Sequence, residues 1–206
     1  MRALIEASGA ERVHLVGHDV GATVGWVAAD EIPECLASLT TFSVPHPAAF
    51  LNAMATSRQM LRSWYILFYQ LPHLPEWYFR RRDWRGMVDF THRLTRQRAE
   101  DAVRDARAMA ESDALTYALN WYRAVPLTDM RRARRKTTVP TMFVWSDGDT
   151  AVHSKGARNT GRYVAADYRF ETLEGVSHWI PDEQPDAVAE LLLDWFKTHP
   201  VVTAAD

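Results

Sequence analysis

Hydrophobic and polar positions alternate between two rhythms along this chain. Near the start, Ala3 to Ala7 carry the spacing of a short helix, with Gly9 placed to end it. Val13-His14-Leu15-Val16 then forms a compact apolar run, the pattern of a strand buried on both faces. Residues 22–30 read as a helix. A second apolar run spans Leu36 to Phe42 and stops at Ser43-Val44-Pro45-His46-Pro47, where the prolines end the strand and open a loop. From residue 48 to 137 no stretch has strand character. Ser57 to Gln70 places aromatic residues at helical spacing, and Arg98 to Ala124 holds two further helical patterns. The alternation returns with an apolar strand at Pro140 to Trp145, a helix at Lys155 to Val164, a strand at Tyr168 to Leu173 and an amphipathic helix at Pro185 to Phe196. This order predicts an α/β fold whose parallel sheet comes in two sequence parts, residues 1–47 and 138–206, with an all-helical lid over residues 48–137 inserted between them. Open α/β sheets bind ligands beyond the C-terminal ends of their strands, so the insertion is expected there.

Composition narrows the class without naming it. The chain has 206 residues, 47% hydrophobic and 24% charged, which suits a folded domain with a real core and excludes disordered and fibrous classes. A formal net charge of −2 gives no reason to expect nucleic acid or an anionic membrane as a partner. Two basic runs, Arg80-Arg81-Arg82 and Arg131-Arg132-Ala133-Arg134-Arg135-Lys136, lack the aromatic interleaving of a nucleic-acid site, and the second reads as a solvated helix end. No apolar run is long enough to span a bilayer, no signal peptide opens the chain, and Cys35 has no disulfide partner, so the expected location is cytoplasmic. None of the eight histidines has metal-ligand spacing and no Gly-x-Gly-x-x-Gly is present, so neither metal nor cofactor is expected.

The chemistry concentrates at three strand ends. Gly17-His18-Asp19-Val20-Gly21 follows one apolar run and precedes a helix, the context of a nucleophile elbow in which small residues at 17 and 21 lift residue 19 into a cleft. An Asx-turn that merely caps the helix would look the same. Asp149 follows the strand ending at Trp145, and His178 lies in the loop after the strand ending at Leu173. The order nucleophile, acid, histidine is that of a triad on an α/β-hydrolase sheet, with Asp in place of serine.

These segments carry a resemblance. Gly-His-Asp-Val-Gly (17–21), Ser-Val-Pro-His-Pro (43–47), Ser-Trp-Tyr-Ile-Leu-Phe-Tyr-Gln-Leu-Pro (63–72), Asn-Trp-Tyr-Arg (120–123), the Asp149 turn and Gly-Val-Ser-His-Trp (175–179) are similar to α/β-hydrolases of the epoxide hydrolase and haloalkane dehalogenase group. The chain looks most like the epoxide hydrolases. The resemblance implies Asp19 as nucleophile, Asp149 as charge-relay acid, His178 as base, and Tyr65 and Tyr122 as lid tyrosines that bind and protonate an epoxide oxygen. It makes the Val20 N–H an oxyanion donor and the substrate a small molecule, an epoxide. His18, Trp64 and Trp179 are candidates for the pocket wall, although His18 and His46 otherwise read as structural, and Tyr69 is the tyrosine most easily mistaken for a member of the pair. Val20 stands where haloalkane dehalogenases usually place a halide-binding Trp, and Val20 and Thr23 where fluoroacetate dehalogenases place Arg. A dehalogenase using the same triad therefore ranks second, with Trp64 or Trp77 left to contact halide.

One departure stands out. Relatives carry several strands before the nucleophile strand, with a His-Gly-x-Pro loop that supplies a second oxyanion donor, whereas this sequence opens on the helix just before that strand. The expectation is an open sheet edge at Val13 to Gly17, prone to self-association, and an oxyanion site short of one donor. An impaired remnant, or a module completed by a partner, is the alternative from another class.

Overall fold

The computed structural model describes residues 1–127, 131 and 134–201. Helix α1 (Arg2–Ala7) is followed by Gly9 at φ +74°, the left-handed conformation expected of a glycine that ends a helix. Strand β1 (Val13–His18), helix α2 (Val20–Glu31) and strand β2 (Leu36–Phe42) come next. Helices α3 (Pro47–Thr56), α4 (Gln59–Arg62), α5 (Trp64–Tyr69), α6 (Leu74–Arg80), α7 (Arg85–Thr95), α8 (Ala99–Ala110) and α9 (Ala114–Ala124) then intervene before strand β3 (Thr141–Ser146). Helix α10 (Ser154–Asn159), strand β4 (Tyr168–Leu173) and helices α11 (Ile180–Glu183) and α12 (Pro185–Thr198) complete the order.

The strands form one parallel sheet in the order β1-β2-β3-β4, with Leu39 opposite Thr141 and Phe143 opposite Phe170. Alternation along the strands sends side chains to two helical layers. Leu39 packs with Trp26, Ala28 and Ala29 of α2, and Phe143 and Trp145 with Ala157 of α10. Phe42, Met142 and Val144 face the other way, onto Trp195 and the partly buried Leu191 and Leu192 of α12. The lid has a third apolar cluster of its own, built on Tyr69, Phe79, Phe90, Leu115 and Leu119.

Two expectations need correcting. A strand buried on both faces describes β2, whose residues are all buried, but not β1, where Val16 is 41% exposed. Among the described residues β1 pairs only with β2, so its outer edge has no strand partner. The helix expected through Val164 stops at Asn159 and tightens into a 3₁₀ turn over Thr160–Tyr163. The second basic run falls partly outside the described residues, which here omit 128–130, 132 and 133; Arg131 lies in a turn and Arg135 reaches Asp30 at 3.5 Å.

Candidate active site

Asp19 occupies the junction between β1 and α2 at φ +50°, ψ −118°. An Asp in that region of backbone space is strained, and the strain turns its carboxylate out of the strand–helix corner. Gly17 makes the corner sterically achievable, because a Cβ there would lie 2.4 Å from the Gly21 carbonyl oxygen. Gly21 is different: a Cβ at that position would meet nothing within 4 Å, so the turn does not require a glycine there. Val20 supplies the first amide of α2, an N–H that has no acceptor within its own helix and stands beside the Asp19 carboxylate in sequence.

The other two triad candidates converge on this corner. His178 Nδ1 lies 2.8 Å from Asp149 Oδ2, and His178 Nε2 lies 3.7 Å from Asp19 Oδ1, just beyond hydrogen-bond distance. The Asp149 side chain is fully buried, that of His178 is almost so, and that of Asp19 is 38% exposed. Asp149 spends its other oxygen, Oδ1, on the N–H groups of Ala151 (2.7 Å) and Val152 (2.9 Å), which fixes the carboxylate plane. Burial alone would push the His178 ring down. The charge of Asp149, its hydrogen bond and the facing Asp19 outweigh burial and push the ring up to about 10. For Asp19 burial favours the neutral acid, but its polar contact with His178 and that ring's charge hold the carboxyl below its ordinary value.

The acid turn and the histidine loop are stitched together. Gly175 N–H donates to Asp147 Oδ1 (2.7 Å), and Ser146 Oγ donates to the Val176 carbonyl. Gly148 passes so close to Val176 that a Cβ would sit 2.3 Å from its carbonyl oxygen. His18 takes a different place from the expected pocket wall. Its Nε2 donates to the His178 carbonyl at 2.9 Å, which assigns the proton to Nε2, and burial followed by the His178 charge lowers its basicity. Ser43, to which the sequence motif at 43–47 assigned no role, donates its hydroxyl to the same carbonyl at 2.7 Å from a left-handed backbone at φ +66°. His46 is structural: its Nδ1 accepts from Ala48 N–H, its ring stacks on Tyr163 at 5.0 Å, and burial lowers its pKa to about 4.

Three lid tyrosines feel the charge of Asp19. The rings of Tyr65 and Tyr122 meet edge to face at 6.0 Å, and Tyr69 touches both, 5.4 Å from Tyr65 and 4.8 Å from Tyr122. Burial and then the negative charge of Asp19 raise the pKa of Tyr65 and Tyr122, so both keep their protons. Among the described residues nothing hydrogen-bonds to either hydroxyl. The same Asp19 charge reaches Tyr69 after burial and Tyr65, so the third tyrosine shares the site's electrostatics.

The tryptophans are less central. Trp64 is 50% exposed and leans on Phe68 and Phe90, and Trp77 is 63% exposed on α6. Trp179 bridges to the lid, donating Nε1–H to Thr95 Oγ1 at 2.8 Å, with its ring 5.6 Å from His18. Among the described residues no group of three His, Cys, Asp or Glu side chains is gathered to hold a metal, and no helix is long and apolar enough to cross a membrane.

A sequence model for the alpha/beta hydrolase fold matches residues 1–185. The chain belongs to the α/β-hydrolase fold family. Within that family it is 31% identical over 193 residues to the AB hydrolase superfamily protein YfhM of Bacillus subtilis, a match covering 92% of this chain and 67% of the relative. It is 28% identical to epoxide hydrolase 3 of Xenopus tropicalis over 96% of this chain and 56% of that protein. The chain thus spans little more than half the length of that α/β-hydrolase. Among solved structures, an epoxide hydrolase from Bacillus megaterium in complex with an inhibitor superposes with a TM-score of 0.79 at 23% identity, covering 95% of this chain and 73% of that one.

Proposed function

We propose that this α/β-hydrolase opens an epoxide to a vicinal diol through a covalent ester on Asp19. The observation that carries the reading is a carboxylate, where a hydroxyl nucleophile would otherwise stand, facing a His–Asp pair joined at 2.8 Å and acting by its charge on two protonated tyrosines whose hydroxyls have no hydrogen-bond partner among the described residues. A serine attacking an sp³ carbon would form an ether, which has no carbonyl for water to attack. A carboxylate forms an ester, which water can cleave.

The sequence of events follows from charge. Asp19, kept ionised beside His178, attacks one ring carbon, and the C–O bond to the epoxide oxygen breaks. That oxygen takes a proton from Tyr65 or Tyr122, both of which keep their protons beside the charged Asp19. While Asp19 is a carboxylate, His178 sits between two negative charges and holds its proton. Alkylation turns Asp19 into a neutral ester and removes one of those charges, so the ring gives up its proton, which restores the tyrosinate left by ring opening, and can then accept one from water. Water adds to the ester carbonyl and Val20 N–H steadies the oxyanion. His178 returns its proton to the departing diol oxygen, and the Asp19 carboxylic acid so released gives its proton to His178, restoring the starting charges.

Oxygen isotopes test this route. In a single turnover in ¹⁸O-labelled water with styrene oxide, the label stays in the Asp19 carboxylate and the first diol is unlabelled, because its new oxygen came from Asp19. Label in the first diol would mean that water attacks the epoxide directly.

A further inference from the structure

Gln59 is fully buried, and two of the three hydrogen bonds of its side chain leave the lid. Its Nε2 donates to the Ala151 carbonyl at 2.8 Å and to Ser63 Oγ at 2.9 Å, while Oε1 accepts from the His153 N–H at 2.7 Å. On the same short helix, Arg62 Nη1 donates to the carbonyls of Asp149 (3.0 Å) and Val152 (3.1 Å). The backbone at 149, 151, 152 and 153 is therefore gripped from α4. This is the turn whose N–H groups orient Asp149 Oδ1 and leave Oδ2 for His178. One residue beyond α4, α5 begins, and Tyr65 is its second residue.

We propose that Gln59 and Arg62 are positioning residues that set the aim of Asp149 at His178 and, through the same rigid segment, the place of Tyr65 relative to Asp19. The inference rests on the acid–base roles read above, and neither residue touches the reacting atoms. A buried amide with both ends satisfied cannot rotate without leaving the Ala151 carbonyl and the His153 N–H unpaired, so the grip has one geometry. Displacing a catalytic group by about 1 Å is enough to cost roughly 10²-fold in rate.

The test uses Arg62→Met and Arg62→Lys, with Gln59→Glu as the variant that keeps the acceptor and loses the donor. One readout needs no substrate: the low-field proton resonance of the His178 Nδ1–H, identified by its loss in Asp149→Asn. The other separates ester formation from ester hydrolysis by quenched intact-mass measurements with styrene oxide. Arg62→Met is expected to shift or broaden the resonance and to slow ester hydrolysis about 10²-fold, with Arg62→Lys recovering much of both. The proposal is overturned if Arg62→Met and Gln59→Glu, both folded, keep the wild-type resonance and hydrolyse ester within about twofold of the wild-type rate, even if their melting temperatures fall. Should the wild type form no ester at all, the epoxide reading fails, and the resonance still decides whether α4 positions Asp149.

Discussion

The two sides of Asp19 are built in contrasting ways. On the base side, His178 is fixed at both its ring and its backbone: Asp149 holds Nδ1, His18 and Ser43 hold the carbonyl, and the loops carrying acid and histidine are joined through Ser146, Asp147 and Gly148. On the acid side, Arg123 and Gln70 hold the backbone carbonyls of Tyr69 (3.1 Å) and Tyr122 (2.8 Å), but the three tyrosine rings meet one another only by packing, and the hydroxyls of Tyr65 and Tyr122 have no hydrogen-bond partner among the described residues. Hydrogen bonds fix direction, which a general base needs, because its proton must be taken along one line. Aromatic packing fixes position while leaving a hydroxyl free, which suits a group whose partner arrives with the substrate.

Separating the two half-reactions exposes this contrast. The largest effect is expected for Asp149→Asn. Without the carboxylate the His178 tautomer is wrong, and ester hydrolysis should fall about 10⁴-fold while ester formation survives. Equal loss in both steps would erase the division. Tyr65→Phe combined with Tyr122→Phe should do the reverse, slowing ester formation by about 10²- to 10⁴-fold and leaving hydrolysis of a preformed ester nearly untouched. Persistence of fast ring opening in the double variant would remove the tyrosines from the chemistry.

A smaller effect should appear in stability. The folded His178 pKa is raised from 6.5 to about 10, so its charged form favours the folded state. That contribution is complete below about pH 6.5 and fades as pH climbs toward about 10. The melting temperature of the wild type should therefore drop more steeply over this range than that of His178→Gln. Parallel curves would show that the ring is not charged between its two carboxylates.

Much of the core was legible because burial writes a simple pattern. Leu36 to Phe42 begins and ends where its apolar run does, and Tyr168 to Leu173 forms a strand over the residues expected. The lid was less so. Helices α6 and α7 join through Arg82, Asp83 and Trp84, all at positive φ (52°, 53° and 64°), and no glycine marks that turn in the sequence. Of the site, Asp19, Asp149 and His178 could be found because each follows a strand, and the structure brings the three together. Ser43, Gln59 and Arg62 could not. Nothing local in a serine after a strand, or in a glutamine within a lid, announces a partner 135 or 92 residues away. The pattern also overstated Gly21, whose missing side chain the turn does not use.

The most direct measurement is the intact mass of His178→Gln after incubation with styrene oxide, on a sample first found folded by circular dichroism. Loss of the base should trap the ester, giving one adduct that maps to Asp19 and is absent when Asp19→Asn is added. A folded sample that gains no mass with styrene oxide or other simple epoxides would contradict the account.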